Sequence, residues 1–114
     1  AAQLHGGIAQ GLGQAIMEES RYDGNGQILS GSLQDYALPR ADDLPMFETV
    51  SSPTETKANP LGVKGVGEAG TVGALPAFVN AVMDALAADG IDHLDMPLTP
   101  LRVWQAIRAA RSGG

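Results

Sequence analysis

The first nineteen residues follow a helical period and interrupt it with glycine. Leu4, Ile8, Leu12, Ala15 and Ile16 recur at near-helical spacing, which predicts a helix over Ala2 to Glu19. Gly6, Gly7, Gly11 and Gly13 fall inside it, and each costs about 1 kcal/mol relative to alanine in a helix interior. A helix that bears this cost repeatedly needs its backbone to approach something closely, either a neighbouring helix or a flat ligand. Gln10 lies among these glycines and carries an amide that can both donate and accept. Packing alone is the simpler explanation at this stage.

A second glycine-rich stretch, Lys64-Gly65-Val66-Gly67-Glu68-Ala69-Gly70, holds a single carboxylate among small apolar residues. Buried in such surroundings, Glu68 loses stability in its charged form and becomes a better base. Gly65, Gly67 and Gly70 also spell a literal GxGxxG, so a nucleotide-binding loop and a purely structural turn are competing readings. A dinucleotide fingerprint needs a strand before the loop and an acidic residue ending a second strand roughly 20 residues on. Asn59-Pro60-Leu61-Gly62 is turn chemistry instead, and Glu68 would repel a pyrophosphate at a helix N-terminus.

Leu75, Phe78, Val79, Val82, Met83 and Leu86 give the clearest helical stripe in the chain. Pro76 suits its first turn, Gly90 follows its end, and Thr71 is the expected cap. The loop bearing Glu68 therefore feeds the positive end of a helix, which stabilises a nearby anion and opposes the effect of burial on Glu68. Thr99 and Pro100 open a last helix with Leu101, Trp104 and Ile107 on its apolar face, and Arg108 and Arg111 complement its C-terminal dipole.

Between the helices, Arg21-Tyr22 and Gln27-Ile28-Leu29 flank Asp23-Gly24-Asn25-Gly26, which predicts a β-hairpin. The stretch begins like a calcium loop, but Gln27, Ile28 and Gln34 occupy positions where such a loop needs other residues. Ser32 to Leu38 reads as a short extended or irregular piece, and Phe47 to Ser51 alternates with strand period. Pro53 to Gly62 is a long connection of the kind often used in function. The predicted fold class is α+β: a glycine-rich N-terminal helix, a β-hairpin and short strands, a central amphipathic helix after the Glu68 loop, and a short C-terminal helix.

At 114 residues and 44% hydrophobic composition, residues 1–114 make one domain at most, with enough apolar residues for a core. The sequence opens Ala1-Ala2-Gln3-Leu4 inside a helical pattern, and it reads as the C-terminal piece of something longer. A formal charge of −6 with no Lys/Arg cluster makes nucleic acid and anionic membranes poor partners. The absence of cysteine excludes thiolate catalysis and a cysteine-ligated iron–sulfur cluster from this segment. The window from Ala74 to Ala88 contains Pro76, Asn80 and Asp84, too polar and too short for a membrane span. His5 and His93 have no metal-ligand spacing, no metal site is expected, and no nucleophile elbow, P-loop or HExxH is present.

The two glycine motifs together resemble a known family. Asn59 to Ala74, His5-Gly6-Gly7-Ile8-Ala9-Gln10-Gly11-Leu12-Gly13-Gln14-Ala15, Ser32-Leu33-Gln34-Asp35-Tyr36 and Pro97-Leu98-Thr99-Pro100 are similar to the C-terminal part of the large, molybdopterin-binding subunit of xanthine dehydrogenase, aldehyde oxidase and carbon monoxide dehydrogenase-type enzymes. The alanine and glycine after Glu68 resemble the carbon monoxide dehydrogenase-like branch more than the xanthine branch. The resemblance implies a hydroxylation in which Glu68 is the active-site base, activating a molybdenum-bound hydroxyl. It implies that Gln10 hydrogen-bonds the pterin and that Gly67 and Ala69 line the metal pocket through their backbone. The implied cofactor is molybdopterin, as the molybdenum–molybdopterin cytosine dinucleotide, with FAD and 2Fe-2S centres on partner subunits or domains. The implied setting is a cytoplasmic dimer of heterotrimers in which this segment joins the rest of the large subunit and the iron–sulfur and flavin subunits. A non-catalytic α+β interaction module is the alternative of a different class.

Overall fold

In a computed structural model that describes residues 1–113, helix α1 spans Ala2–Ile16, α2 spans Ala69–Leu86 and α3 spans Pro100–Ser112. Two 3-10 turns, Ala41–Asp43 and Ala87–Asp89, complete the regular structure. Glycine at α1 is resolved in favour of a helix neighbour. An added Cβ at Gly7 would lie 3.0 Å from the Thr71 nitrogen and 3.1 Å from the Gly70 Cα, and one at Gly11 would lie 2.9 Å from the Thr71 carbonyl oxygen. From the other side, a Cβ at Gly70 would meet the Leu4 carbonyl oxygen at 2.6 Å. Gly7-x-x-x-Gly11 thus faces Gly70-x-x-x-Ala74, and the successive pairing of 3 with 67, 7 with 70 and 11 with 74 makes the two helices run parallel. Small residues one turn apart on both helices are what such a close backbone approach requires.

The helix ends follow from local chemistry. α1 stops at Ile16, short of the expected Glu19, because the Met17 and Glu18 N–H groups both donate to the Gly13 carbonyl. α2 starts at Ala69, earlier than its apolar stripe suggests, with Glu68 as its N-cap residue. Thr71 is therefore inside the first turn rather than capping it, and Pro76 lies in the helix interior rather than in the first turn. Beyond the Ala87–Asp89 turn, Gly90 takes a φ of 75°, the left-handed conformation in which glycine ends a helix without strain. α3 opens as expected, with Pro100 at its first position and the Arg102 N–H donating to Thr99 Oγ1 at 3.2 Å.

No strand forms among the described residues, so the fold is helical rather than α+β. The predicted hairpin is reduced to one antiparallel bridge, Tyr22 with Ile28. Its turn forms with positive φ at Gly26 (81°) but not at Asn25, unlike the Asn-Gly turn expected, and Asp23 Oδ1 accepts from the Asn25 and Gln27 N–H groups. The ladder ends because the Arg21 N–H donates to the Ser30 hydroxyl at 2.8 Å instead of extending the backbone pairing. Phe47 to Ser51 has no partner strand among the described residues, and alternation without pairing does not hold a strand.

The apolar composition does not close into a core of its own. Ala15, Leu86 and Leu98 are the buried hydrophobic residues among those described, while Met46 and Val50 are each 92% exposed. The radius of gyration is 18.0 Å, against about 13 Å for a compact chain of this length. The α2 stretch Ala69–Asp89, with mean hydropathy 1.4, is long and apolar enough to cross a membrane, longer than the window read from the sequence. It packs against α1 through Gly70 and carries Asn80 and Asp84 within it.

The α1–α2 contact predicts opposite effects for two similar substitutions. Gly70→Ala is expected to destabilise a chain carrying both helices by about 1–3 kcal/mol, because its methyl group meets backbone on α1. Gly6→Ala, with nothing within 4 Å of its Cβ, is expected to stabilise by about 0.5–1 kcal/mol. Thermal denaturation of the pair measures the order, and the reverse order contradicts the packing.

Candidate functional site

Glu68 reaches its place through two anchored segments. At the start of its loop, Asn59 Oδ1 accepts from the Leu61 and Val63 N–H groups, and Asn59 Nδ2 donates to the Val63 carbonyl at 2.9 Å. Gly62, at φ 66°, turns the chain there, and its carbonyl accepts from the Thr56 N–H at 3.1 Å. At the other end the loop runs directly into α2, where the Glu68 carbonyl accepts from the Val72 N–H at 3.0 Å. Between the anchors, Gly65 and Gly67 have negative φ and nothing within 4 Å of an added Cβ. Gly67 lies in a turn closed by the Ala69 N–H donating to the Val66 carbonyl at 3.2 Å, and neither glycine is required by packing within the described residues.

Gln10, in the middle of α1, is held to the first turn of α2 through Thr71. Thr71 Oγ1 donates to Gln10 Oε1 at 3.2 Å, which leaves the Gln10 amide nitrogen without a partner among the described residues. Thr71 is one turn after Glu68 on α2, so Gln10 and Glu68 flank the N-terminus of one helix. Gly67 and Ala69 bracket Glu68 in sequence, Gly67 in the loop and Ala69 as the first helical residue. Glu68 is exposed, not buried, in this chain. The desolvation expected of a buried base is therefore not provided by residues 1–113.

The phosphate-cradle alternative fails on Gly70. That residue is buried with its Cα against the α1 backbone, so it cannot turn its backbone toward a phosphate. His5 is an aromatic packing residue, its ring 5.8 Å from that of Phe47 in an edge-on arrangement. No group of three or more His, Cys, Asp or Glu residues that could hold a metal ion occurs among the described residues.

Comparison with known proteins identifies the family. Residues 1–45 match the molybdopterin cofactor-binding domain. The chain is 42% identical over 106 residues to the carbon monoxide dehydrogenase large chain of Hydrogenophaga pseudoflava, covering 93% of this chain and 13% of that one. The chain belongs to the molybdopterin-binding large subunits of the xanthine dehydrogenase and carbon monoxide dehydrogenase family. Within the family it is also 38% identical, over 93% of its length, to the nicotine 6-hydroxylase large subunit of Paenarthrobacter nicotinovorans, covering 13% of that protein. The crystal structure of a Cu,Mo-CO dehydrogenase in its carbon monoxide-reduced state superposes with a TM-score of 0.91 at 38% identity, over 96% of this chain and 14% of that one. The chain spans about 13% of the length of the curated relatives it matches.

Three contributors were not singled out for the site from the sequence. Gln3 Nε2 donates to the Gly67 carbonyl at 2.8 Å, Thr71 holds Gln10, and Tyr36 donates to Glu18 Oε1 at 2.8 Å. The available signal for Gln3 was its spacing of seven from Gln10, which puts both on one face of α1. Gln10, Gln14, Glu18, Ser20 and Tyr36 line a polar groove of about 290 Å³.

The hydrogen bond to Glu18 raises the Tyr36 pKa above its ordinary 10.0, helped by desolvation and by the Glu18 charge. The neutral phenol is the favoured form, so this bond is intact below pH 10 and is lost as pH rises through the raised value. In a Tyr22→Phe background, where Tyr36 is the remaining tyrosine, Glu18→Gln is expected to bring the tyrosinate absorbance titration down toward 10.0. Coincident titrations with and without Glu18 contradict the assignment.

Proposed function

We propose that this chain supplies one side of the reaction centre of a molybdenum hydroxylase, with Glu68 as its base and Gln10 as a ligand-facing amide. The observation that supports this is the parallel packing of α1 and α2, which ties Gln10 to Thr71 in the first turn of the helix that Glu68 caps and Gln3 to Gly67 beside Glu68. A molybdopterin, flat and rich in hydrogen-bonding atoms, fits this donor set. The Gln10 amide nitrogen is free to donate, and Gly65 and Gly67 offer backbone with no side chain in the way.

When bound, the cofactor would supply oxygen transfer and two-electron redox chemistry. This chain's part is to orient and to move a proton. Gln10 would hold the pterin, the backbone at Gly67 and Ala69 would line the pocket, and a Glu68 carboxylate oxygen would take the proton from the attacking nucleophile. Burial by other segments of the large subunit would raise the proton affinity of Glu68, while the α2 N-terminus moderates that rise.

The chain then forms the C-terminal piece of a molybdopterin-binding domain. In the complete enzyme the cofactor would be the cytosine dinucleotide form, and 2Fe-2S and FAD centres on partner subunits would supply electron transfer in a cytoplasmic dimer of heterotrimers. In the complete enzyme, Glu68→Gln is expected to leave molybdenum content near normal while turnover falls by at least the ~10² typical of losing a general base. Metal analysis and steady-state turnover together decide it. Unchanged turnover refutes the base, and loss of the metal makes Glu68 structural.

A further inference from the structure

The carboxylate of Glu68 is only as well placed as the peptide that carries it, and one long-range hydrogen bond ties that peptide to α1. Gln3 Nε2 donates to the Gly67 carbonyl oxygen at 2.8 Å, across a sequence separation of 64. The same peptide is the middle one of a turn closed by the Ala69 N–H donating to the Val66 carbonyl at 3.2 Å, and the remaining anchors lie upstream at Asn59 and downstream within α2. Gly65 and Gly67 between them make no close packing contact that would resist rotation.

The Gly67–Glu68 bond is trans, so its carbonyl and its N–H point to opposite sides. Holding the Gly67 carbonyl against α1 turns the Glu68 N–H away from α1 and fixes the direction in which the Glu68 side chain leaves the backbone. Gln3 can do this reliably because the glycine contact sets the distance between its helix and α2. The Gly7 and Gly70 backbones meet one turn further along from the Gln3–Gly67 contact.

We infer that Gln3 is a positioning residue for Glu68, acting by fixing the orientation of the Gly67–Glu68 peptide. This rests on the reading of Glu68 as a base, and the test separates the two. In the complete enzyme, Gln3→Leu removes the donor at nearly constant size, and Gln3→Lys restores a donor of similar reach. Amide hydrogen exchange over residues 63–70 is measured by mass spectrometry beside kcat and KM.

Gln3→Leu is expected to exchange faster in this segment and to lose about 10-fold in kcat with KM unchanged, the size of one lost hydrogen bond. Gln3→Lys is expected to recover most of both. Parent-like exchange in Gln3→Leu, parent-like kcat, or a loss that Gln3→Lys does not recover each overturns the role. Should Gln3→Leu fail to assemble, Gln3→Glu, which cannot donate when ionised, takes its place with the same expected losses. Glu68→Gln measured in parallel isolates the underlying reading: if its turnover is normal the base assignment falls, while the exchange comparison still decides the hydrogen bond.

Discussion

The backbone-to-backbone contact between α1 and α2 is the constraint on which the rest depends. Gly7 and Gly11 on one helix and Gly70 on the other remove every side chain that would hold the helices apart. Any side chain at Gly70 would separate the helices or force the Leu4 carbonyl to move. Because the helices run parallel at this distance, residues more than sixty positions apart become neighbours in register. Gln3 reaches Gly67 and Gln10 reaches Thr71, so the glycine cost in α1 is offset by the assembly of one helix end.

The same chain leaves most of its apolar surface uncovered. Ile16, Met17, Phe78, Val82, Leu98, Val103, Trp104 and Ile107 line an apolar groove of about 480 Å³ between the three helices. Such a surface agrees with a segment spanning about 13% of its relatives' length. Glu68 shares this exposure.

Legibility in the sequence divides by range. Helix starts and stops set by local chemistry were readable, as at Thr99, Pro100 and Gly90, because cap and turn geometry involve neighbours in sequence. The need for close approach at Gly7 and Gly11 was also readable, but not whether helix or ligand approached. Only the structure separates these from Gly65 and Gly67, whose open surroundings are of a different kind. The onset of α2 at Ala69 escaped the hydrophobic stripe because alanine and glycine carry little apolar signal while still packing on α1. The hairpin failed as a sheet for a related reason. Its turn was correctly placed, yet strands require partners that no local pattern supplies. Gln3 shared a face of α1 with Gln10, but its partner lies 64 residues away, where no local pattern points.

A structure of the complete large subunit with its cofactor bound is the most direct test of the central claim. The account predicts the Gln10 amide within about 3.2 Å of a pterin hydrogen-bonding atom, with the Glu68 carboxylate facing the metal and the Gly7–Gly70 contact retained. A cofactor seated away from this helix end, or a Glu68 side chain turned from it while α1 and α2 stay packed, would contradict the account.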